Sequence, residues 1–287
     1  MGKLREMLKE ARPHQWVKNL LVFVPLVTSH RLAEAETFAS ASRAFLALGF
    51  CASAVYVMND LFDLCPDRAH PAKRERPFAS GRLPLSYGPP LAAGLLLASL
   101  AAGWGLPFRF WGVLALYLGL TTAYTLRLRD TTLVDVFCLA AFYTLRVIAG
   151  HAVTDIPYSP WLSAFCMFFF LGLAVLKRYA ELLTARGAHR GYRAGDEGVL
   201  LALGTACGAL SVLVFALYIN TRQVALLYTR PALLWLICPL LLYWIGRVWF
   251  LVQRGEVEDD PVVFALKDRT SYAVGVLVAS LLFAAAR

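Results

Sequence analysis

Charged residues are scarce in this chain of 287 residues, and their scarcity excludes an ordinary soluble domain. Asp, Glu, Lys and Arg make up 16% of the sequence, whereas a soluble domain carries about 25%. Hydrophobic residues make up 59%, and the mean hydropathy is +0.59. We therefore expect an integral membrane protein.

Cysteine and histidine are also few, and neither residue type forms a cluster in the sequence. The six cysteines are scattered without a C-x-x-C pair, so we interpret them as small hydrophobic residues and not as disulfides or zinc ligands. The five histidines are isolated from one another, which gives no histidine metal site or catalytic triad. No signal peptide is expected, because residues 1–16 are charged and amphipathic and lack a cleavage site.

Long apolar runs are abundant, and a helix needs about 20 apolar residues to cross the hydrocarbon core. We count nine runs, of which the first is short enough to be a tilted or half-buried helix. They are residues 17–29, 38–58, 86–106, 109–126, 132–151, 159–176, 197–219, 231–252 and 270–286. The sequence therefore predicts an all-α fold, a polytopic bundle of about nine transmembrane helices in a single catalytic domain, 1–287.

The basic residues are unevenly distributed between the two sides of such a bundle. With the N-terminus inside, most of the 28 Lys and Arg residues lie on the inner side. The positive-inside rule then places the long connections at about 59–85, 177–196 and 253–269 in the cytosol. Nucleic acid is not expected as a partner, because these basic residues are divided among several loops and form no single stripe.

Acidic residues gather where the second apolar run ends. Asp60, Asp63 and Asp67 have the spacing i, i+3, i+7 of one helix face, and Asn59 adjoins it. Three carboxylates at mid-bilayer would oppose insertion by roughly 8–10 kcal/mol, so we expect them at the inner mouth of a wet cavity. They repel one another unless a cation lies between them, and all the donors are hard oxygens. We predict Mg²⁺ on these four residues, with Asp60 and Asp63 as the catalytic candidates.

A basic run follows the acidic one. Lys73, Arg74 and Arg76 come after Pro66 and Pro71, so we expect them in a loop that folds back over a phosphate held by the metal. The alternative is a solvated helix end whose acids pair with this basic run. Both interpretations are open at the level of sequence.

A second charged cluster ends the sixth run. Lys177, Arg178 and Glu181 form either a second phosphate-binding group or, through the i, i+4 pair of Lys177 and Glu181, a plain surface salt bridge. Near the first run, Arg12, Lys18 and Asn19 lie at the lip of the membrane. Lys18 and Asn19 either bind a phosphate there or act as interfacial anchors.

Three further features concern the edges of the expected site. Tyr56 and Tyr124 lie at inner helix ends and are candidates for hydrogen bonds to substrate. Asp135 and Arg146 share a face of the fifth run, where we expect Asp135 near the cavity and Arg146 in a buried structural network. The segment 258–272 is either a lid over the site or a solvated loop.

The motif N-D-x-x-D-x-x-x-D at 59–67, which closes the second of about nine spans, resembles the UbiA superfamily of intramembrane prenyltransferases. Further segments resemble its decaprenyl-phosphate phosphoribosyltransferase branch, which includes proteins implicated in arabinosylating nodulation factors. They are RPHQWVKNLLVFVPL, DRAHPAKRERPFASG, DVFCLAAFYTLRVIAG, LKRYAEL and DDPVVFALKDR. The resemblance extends from Arg12 to Tyr272.

This resemblance implies a reaction in which phosphoribosyl pyrophosphate and a polyprenyl phosphate give polyprenyl phosphoryl-5-phosphoribose, a precursor of a lipid-linked arabinose donor. It implies a UbiA-like fold in the bacterial inner membrane with a cytosolic active site, and it leaves a homo-oligomer open. Aromatic prenyltransferases of the superfamily usually carry a second Asp-rich motif, whereas here Glu181 is the acid of the matching helix end. More cations and fewer acids suit a site that holds more phosphate charge.

Two other functions compete with this one. The first is prenyl transfer from a prenyl diphosphate to an aromatic or other acceptor. The second is transport of an anion or lipid phosphate, which predicts polar features that reach both sides of the bilayer, whereas the polar clusters here gather on the inner side.

Overall fold

The structure, a computed structural model, describes residues 2–71, 73–184, 191–257, 264–265 and 267–286. Within these ranges the chain is helical and contains no β-strand, which confirms the predicted all-α fold class. The described chain divides into two compact units. Unit 1 comprises Met1–Leu126 and Leu145–Pro157, and unit 2 comprises Arg127–Thr144 and Tyr158–Arg287. The prediction of a single catalytic domain stays a prediction.

Unit 1 begins with an amphipathic helix and contains the helix that carries the acidic motif. Its helices are α1 (Gly2–Ala11), a 3-10 helix (Pro13–Phe23), α2 (Val24–Thr28), α3 (Ala35–Phe62), α4 (Leu64–Ala69), short 3-10 turns (Lys73–Glu75 and Leu85–Tyr87), α5 (Gly88–Gly103) and α6 (Phe108–Leu126). Helix α7 (Val134–Val153) contributes its second half to this unit.

Unit 2 contains the first half of α7 and the C-terminal helices. These are a 3-10 turn (Leu128–Asp130), α8 (Pro160–Thr184), α9 (Glu197–Ile219), α10 (Arg222–Leu227), a 3-10 helix (Pro231–Leu236), α11 (Ile237–Gln253) and α12 (Arg269–Ala286).

Seven helices in the described residues are long and apolar enough to cross a membrane. They are Ala35–Phe62, Leu85–Gly103, Val134–Val153, Pro160–Leu183, Glu197–Ile219, Pro231–Gln253 and Arg269–Ala286. The expected runs at 17–29 and 109–126 are not among them. The first run is divided between the 3-10 helix that begins at Pro13 and the short α2, which carries Pro25 in its first turn. The hydroxyl-bearing residues of α6 make the second run less apolar.

Helix α3 packs along α5 through a face of small residues, and this packing fixes the helix that carries the acidic motif. Ala44, Ala47, Cys51 and Ala54 recur on one face of α3 and are all buried. The hydroxyl of Ser99 on α5 donates a hydrogen bond of 2.7 Å to the carbonyl of Ala47. Small side chains let two helices approach closely in a membrane, where packing and hydrogen bonds drive association.

In unit 2, α8 and α9 approach each other through glycines. A Cβ atom on Gly172 would lie 3.3 Å from the carbonyl oxygen of Gly204, so even an alanine would require the two helices to separate by a few tenths of an ångström. The other side of Gly204 faces the indole ring of Trp249 on α11. Close backbone contact therefore holds the helix that carries Lys177 and Arg178.

Candidate functional site

The acidic motif lies where α3 ends and α4 begins. Asp63 is both the C-cap residue of α3 and the N-cap residue of α4. Its N–H still donates to the carbonyl of Asn59 at 2.8 Å. Pro66 has no N–H to continue the helical ladder, which accounts for a break at this point. The expectation of one uninterrupted helix face is therefore corrected, although the N–H of Asp67 donates to the carbonyl of Asp63 at 2.8 Å and preserves a helical turn.

Despite that break, Asp60 and Asp67 converge on one cation. The Nη1 atom of Arg76 donates to Asp60 Oδ1 at 3.0 Å and to Asp67 Oδ2 at 2.5 Å. Both carboxylates are buried, with exposed fractions of 4% and 2%. The basic run does fold back as expected, but in this conformation Arg76 contacts the acids themselves, as the alternative of acids paired with the basic run describes.

A second guanidinium, that of Arg12, pairs with Asp60 from the N-terminal side. Arg12 has a left-handed backbone (φ 50°) between α1 and Pro13, which turns the chain sharply at this residue. Its guanidinium carbon also lies 5.3 Å from the ring centroid of Tyr56 on α3, at cation–π distance. Asp60 is therefore held by two arginines that lie 48 residues before it and 16 residues after it.

Glu10 adds another carboxylate to this cluster. It is the penultimate residue of α1 and is 1% exposed. Burial and the neighbouring Asp60 carboxyl raise the pKa of Glu10 to about 8, against the opposing effect of Arg12 and Arg76. Neither Glu10 nor Thr125, whose hydroxyl donates to Asn59 Oδ1 at 2.8 Å, was among the site residues expected from sequence.

The remaining residues of the first cluster have varied exposure. Asp63, Lys73, Tyr56 and Tyr124 are half-buried, whereas Arg74 is exposed beside Glu75. The Lys73 N–H donates to His70 Nδ1 at 3.3 Å, within a 3-10 turn that replaces the expected loop. The substrate-binding roles of Lys73, Arg74, Tyr56 and Tyr124 stay predictions.

Asn19 lies in a buried network and not at an open membrane lip. Arg146 Nε donates to Asn19 Oδ1 at 2.7 Å, and Arg146 Nη2 donates to the hydroxyl of Tyr117 at 3.0 Å. Asn19 and Arg146 are 1% and 4% exposed. This geometry agrees with the structural network expected for Arg146. Lys18 is half-buried, and its phosphate-binding role stays a prediction.

In unit 2, the second charged cluster is built around Arg178. Its guanidinium, 1% exposed, pairs with Asp135 on α7 and with Glu181 one turn further along α8. Glu181 therefore pairs with Arg178, whereas the i, i+4 spacing in the sequence suggested a pair with Lys177. Asp135 is fully buried in this pair and not exposed to an open cavity. That Lys177, Arg178 and Glu181 bind substrate stays a prediction.

Tyr192 completes this cluster, and sequence reasoning missed it. Its hydroxyl donates to Asp135 Oδ1 at 2.6 Å and accepts the N–H of Leu133 at 3.1 Å. Burial and the adjacent carboxylate raise the pKa of Tyr192. Leu133 has a left-handed backbone (φ 67°), so these bonds stabilise a strained turn before α7.

The segment 258–272 is described only in part, because residues 258–263 and 266 lie outside the described residues. Asp268 accepts two hydrogen bonds from Arg247, at 2.8 and 3.0 Å, and also caps Ser271 at the start of α12. The lid role of the segment stays untested.

With this geometry in place, comparison with known proteins identifies the family. Residues 22–272 match the model of the UbiA prenyltransferase family. The chain belongs to this family. It is similar to nodulation protein NoeC of Azorhizobium caulinodans, with 33% identity over 91% of this chain and 86% of that protein. It is equally similar, at 33% identity, to decaprenyl-phosphate phosphoribosyltransferase of Mycolicibacterium smegmatis, over 92% of this chain and 86% of that protein.

A longer relative and a solved structure complete the comparison. An uncharacterized protein of Sinorhizobium fredii, y4nM, is 38% identical over 96% of this chain, which spans 55% of that protein's length. The structure of a UbiA homolog from Archaeoglobus fulgidus bound to DMAPP and Mg²⁺ superposes with a TM-score of 0.72 at 15% identity. It covers 98% of this chain and 97% of that chain, so the UbiA fold is shared over nearly the whole length.

The donor chemistry of this UbiA family member suits a divalent cation at the first cluster. No group of three or more His, Cys, Asp or Glu side chains is arranged as a metal site among the described residues. However, one positively charged nitrogen of Arg76 already lies between oxygens of Asp60 and Asp67. A hard cation prefers these carboxylate oxygens, and Arg76 occupies the position between them. Mg²⁺ stays a prediction for this chain.

Proposed function

We propose that this UbiA family member transfers 5-phosphoribose from phosphoribosyl pyrophosphate to a polyprenyl phosphate and releases pyrophosphate. The observation that carries the proposal is the pairing of the acidic motif with two arginines, Arg12 and Arg76, at the cluster where a diphosphate would bind. The relatives named decaprenyl-phosphate phosphoribosyltransferase, which cover most of this chain, support the same reaction.

The charges of the cluster suit a substrate that carries several phosphates. Asp60 and Asp67 would hold a divalent cation, and the two guanidiniums that now pair with them would bind phosphate oxygens in bidentate fashion. A divalent cation, when bound, would neutralise the diphosphate and stabilise it as a leaving group. Asn59, whose oxygen Thr125 orients, and Asp63 complete the proposed set of ligands.

The reaction then needs alignment and charge neutralisation more than proton transfer. As the C1–O bond to pyrophosphate breaks, the ribose gains oxocarbenium character and a lipid phosphate oxygen attacks C1 from the opposite face. This phosphate oxygen is already anionic at neutral pH, so no general base is required. Lys18, Lys73, Arg74, Lys177 and Arg178 are the further groups proposed to neutralise phosphate charge.

We place this activity at the cytosolic face of the bacterial inner membrane. The excess of basic residues in the long connections between the spans supports that orientation. The polyprenyl chain would lie in the hydrocarbon region beside the apolar helices. The product would serve as precursor of a lipid-linked arabinose donor.

The test is a reaction of purified protein with Mg²⁺, labelled phosphoribosyl pyrophosphate and several polyprenyl phosphates, with the lipid product identified by mass. Asp63→Ala and Asp67→Asn are expected to abolish turnover, and Lys177→Ala to reduce it. Glu36→Gln, which removes an exposed acid from the opposite end of α3, is the matched control. Full activity of Asp67→Asn would contradict the proposed role of the cluster.

Prenyl transfer is the second candidate, and membership of the prenyltransferase family favours it. In that reaction the lipid carries the diphosphate and acts as the electrophile. The same protein is therefore assayed with a labelled prenyl diphosphate and a mixture of aromatic acceptors. A prenylated acceptor without a phosphoribosyl lipid would replace the first proposal by the second.

A further inference from the structure

Helix α1 buries an acidic residue although most of the helix is exposed. Leu4 and Leu8 are 65% and 57% exposed, whereas Glu10 is 1% exposed. Glutamate is almost never fully buried in proteins without a partner. Its position therefore requires an explanation that the packing of α1 alone does not provide.

Both carboxylate oxygens of Glu10 are buried without a hydrogen-bond partner among the described residues. A buried carboxylate that accepts no hydrogen bond is costly, and such groups in native proteins commonly mark a role beyond packing. The carboxyl of Asp60 is the neighbour of Glu10, and burial together with this neighbour raises the pKa of Glu10. Two neighbouring carboxyl groups repel each other when both are ionised, and a cation between them would remove that repulsion.

When Glu10 is ionised, the charges around it do not balance without a cation. Three carboxylates, those of Glu10, Asp60 and Asp67, gather with two guanidiniums, those of Arg12 and Arg76. With all five groups ionised, one negative charge remains in excess. A cation bound by Glu10 and Asp60 would neutralise that charge, and it would also satisfy the oxygens of Glu10.

The position of Glu10 is fixed by hydrogen bonds and is not the chance position of a terminal helix. The hydroxyl of Ser53 on α3 donates to the carbonyl of Ala11 at 2.5 Å and accepts the indole N–H of Trp16 at 2.9 Å. Trp16 packs against Gly49, where a Cβ atom would come within 2.8 Å of its ring. These contacts hold the end of α1 on α3, seven residues before Asp60.

We propose that Glu10 is a further carboxylate ligand of the divalent-cation site at Asp60, supplied by the N-terminal helix and not by the acidic motif of α3. The inference rests on the proposed function in one respect, that the first cluster binds a divalent cation. The competing explanation is structural: a neutral Glu10 donates its proton to Asp60 and only stabilises the docking of α1.

The experiment measures Mn²⁺ binding to the purified full-length protein in detergent, without phosphoribosyl pyrophosphate or lipid. Free Mn²⁺ is counted by its electron paramagnetic resonance signal. Glu10→Gln and Glu10→Ala are each expected to weaken Mn²⁺ binding about tenfold or more. Glu6→Gln is the matched control: Glu6 lies on the same helix and carries the same charge, but it pairs with Lys9 and Arg82 near the surface.

The two explanations predict different results for the glutamine variant. An amide can donate a hydrogen bond to Asp60, so a structural role would be preserved in Glu10→Gln and lost in Glu10→Ala. Wild-type Mn²⁺ affinity in Glu10→Gln would therefore overturn the inference, as would the absence of Mn²⁺ binding by the wild-type protein.

Failure of the proposed function is visible separately. If Glu10→Gln weakens Mn²⁺ binding but the wild-type protein forms no phosphoribosyl lipid, the inference stands and the proposed substrate is wrong. If the phosphoribosyl lipid forms and Glu10→Gln binds Mn²⁺ normally, the function stands and Glu10 is structural. Thermal unfolding of each variant shows that the compared proteins are folded.

Discussion

The pair of Asp135 and Arg178 allows a structural role to be separated from a substrate-binding role. In Arg178→Met, the fully buried carboxylate of Asp135 keeps the hydrogen bond from Tyr192 at 2.6 Å but loses its cation. Removing one partner of a buried ion pair costs about 3–5 kcal/mol. At about 2 °C per kcal/mol for a chain of this size, the unfolding temperature should fall by roughly 6–10 °C.

Buried cysteines provide the assay. Cys138, Cys166 and Cys207 are buried in the folded protein and become accessible to a thiol-reactive dye when it unfolds. Cys65 is exposed and would react beforehand, so every protein compared carries Cys65→Ser. Dye fluorescence during a temperature ramp in detergent then gives the unfolding temperature of each variant.

A double variant provides the decisive comparison. Asp135→Leu in the Arg178→Met background removes both buried charges, and the hydroxyl of Tyr192 loses its acceptor, at a cost of about 1 kcal/mol. The half-buried Glu181 loses its pair with Arg178 in the single and the double variant alike, so this loss cancels in the comparison. Most of the lost stability should return, because buried ion pairs replaced by apolar groups are often neutral or stabilising. A double variant no more stable than Arg178→Met would refute this reasoning. If Arg178 also binds a phosphate, the double variant will be stable but inactive.

Four further predictions use the same unfolding assay or cation binding. Ser53→Ala should lower the free energy of unfolding by about 1–2 kcal/mol, because it removes the hydrogen bonds to Ala11 and Trp16. An unchanged unfolding temperature would contradict a stabilising role of these bonds. Gly204→Ala should cost about 1–3 kcal/mol through its clash with the Trp249 ring, and Gly246→Ala, which faces open space, is the control. Because the pKa of Glu10 is raised from 4.5 to about 8 in the folded chain, the protonated form of Glu10 favours folding. This contribution to the free energy of unfolding is fully present below about pH 4.5 and is lost as the pH rises through 8. Glu10→Gln should therefore unfold like the wild type at pH 5 and at a higher temperature at pH 9, and equal curves at pH 9 would contradict the raised pKa. Arg76→Gln should bind Mn²⁺ more tightly than the wild type, because the guanidinium no longer competes for Asp60 and Asp67, and weaker binding would contradict this.

Helix positions and the acidic motif follow from local information, and for that reason the sequence predicts them well. Apolar runs long enough to cross a membrane occur at seven helices of the described chain, close to their expected limits. Asp60 and Asp67 belong to one short segment, so their spacing alone places them together. The break at Asp63 was also encoded locally, in Pro66, but the i, i+3, i+7 pattern concealed it.

Contacts between distant segments could not be predicted in the same way. The guanidinium of Arg12 reaches Asp60 across 48 residues of sequence, and no spacing rule connects them. Burial could not be predicted from hydropathy either, because a hydropathy scale scores arginine as a surface residue. Arg178 is nevertheless almost fully buried beside its acidic partners. Glu10 looked like one more charge of an amphipathic helix, since only the docking of α1 on α3 reveals which face is covered.

The two sequence-based interpretations of the acidic motif are compatible because they describe different occupancies of the same side chains. Arg76 bridges Asp60 and Asp67 at 3.0 and 2.5 Å, and this pairing limits the repulsion between two buried carboxylates. A divalent cation would do the same with greater charge, and it would release the guanidinium at the place where the proposed diphosphate would bind. Because the cation and the arginine compete for the same oxygens, cation binding and phosphate binding at this cluster should favour each other, and by linkage each must raise the affinity for the other by the same factor. The ion pairs of Arg12 and Arg76 are therefore consistent with a metal–diphosphate site, since they keep the carboxylates and the arginines together and limit the repulsion between the acids.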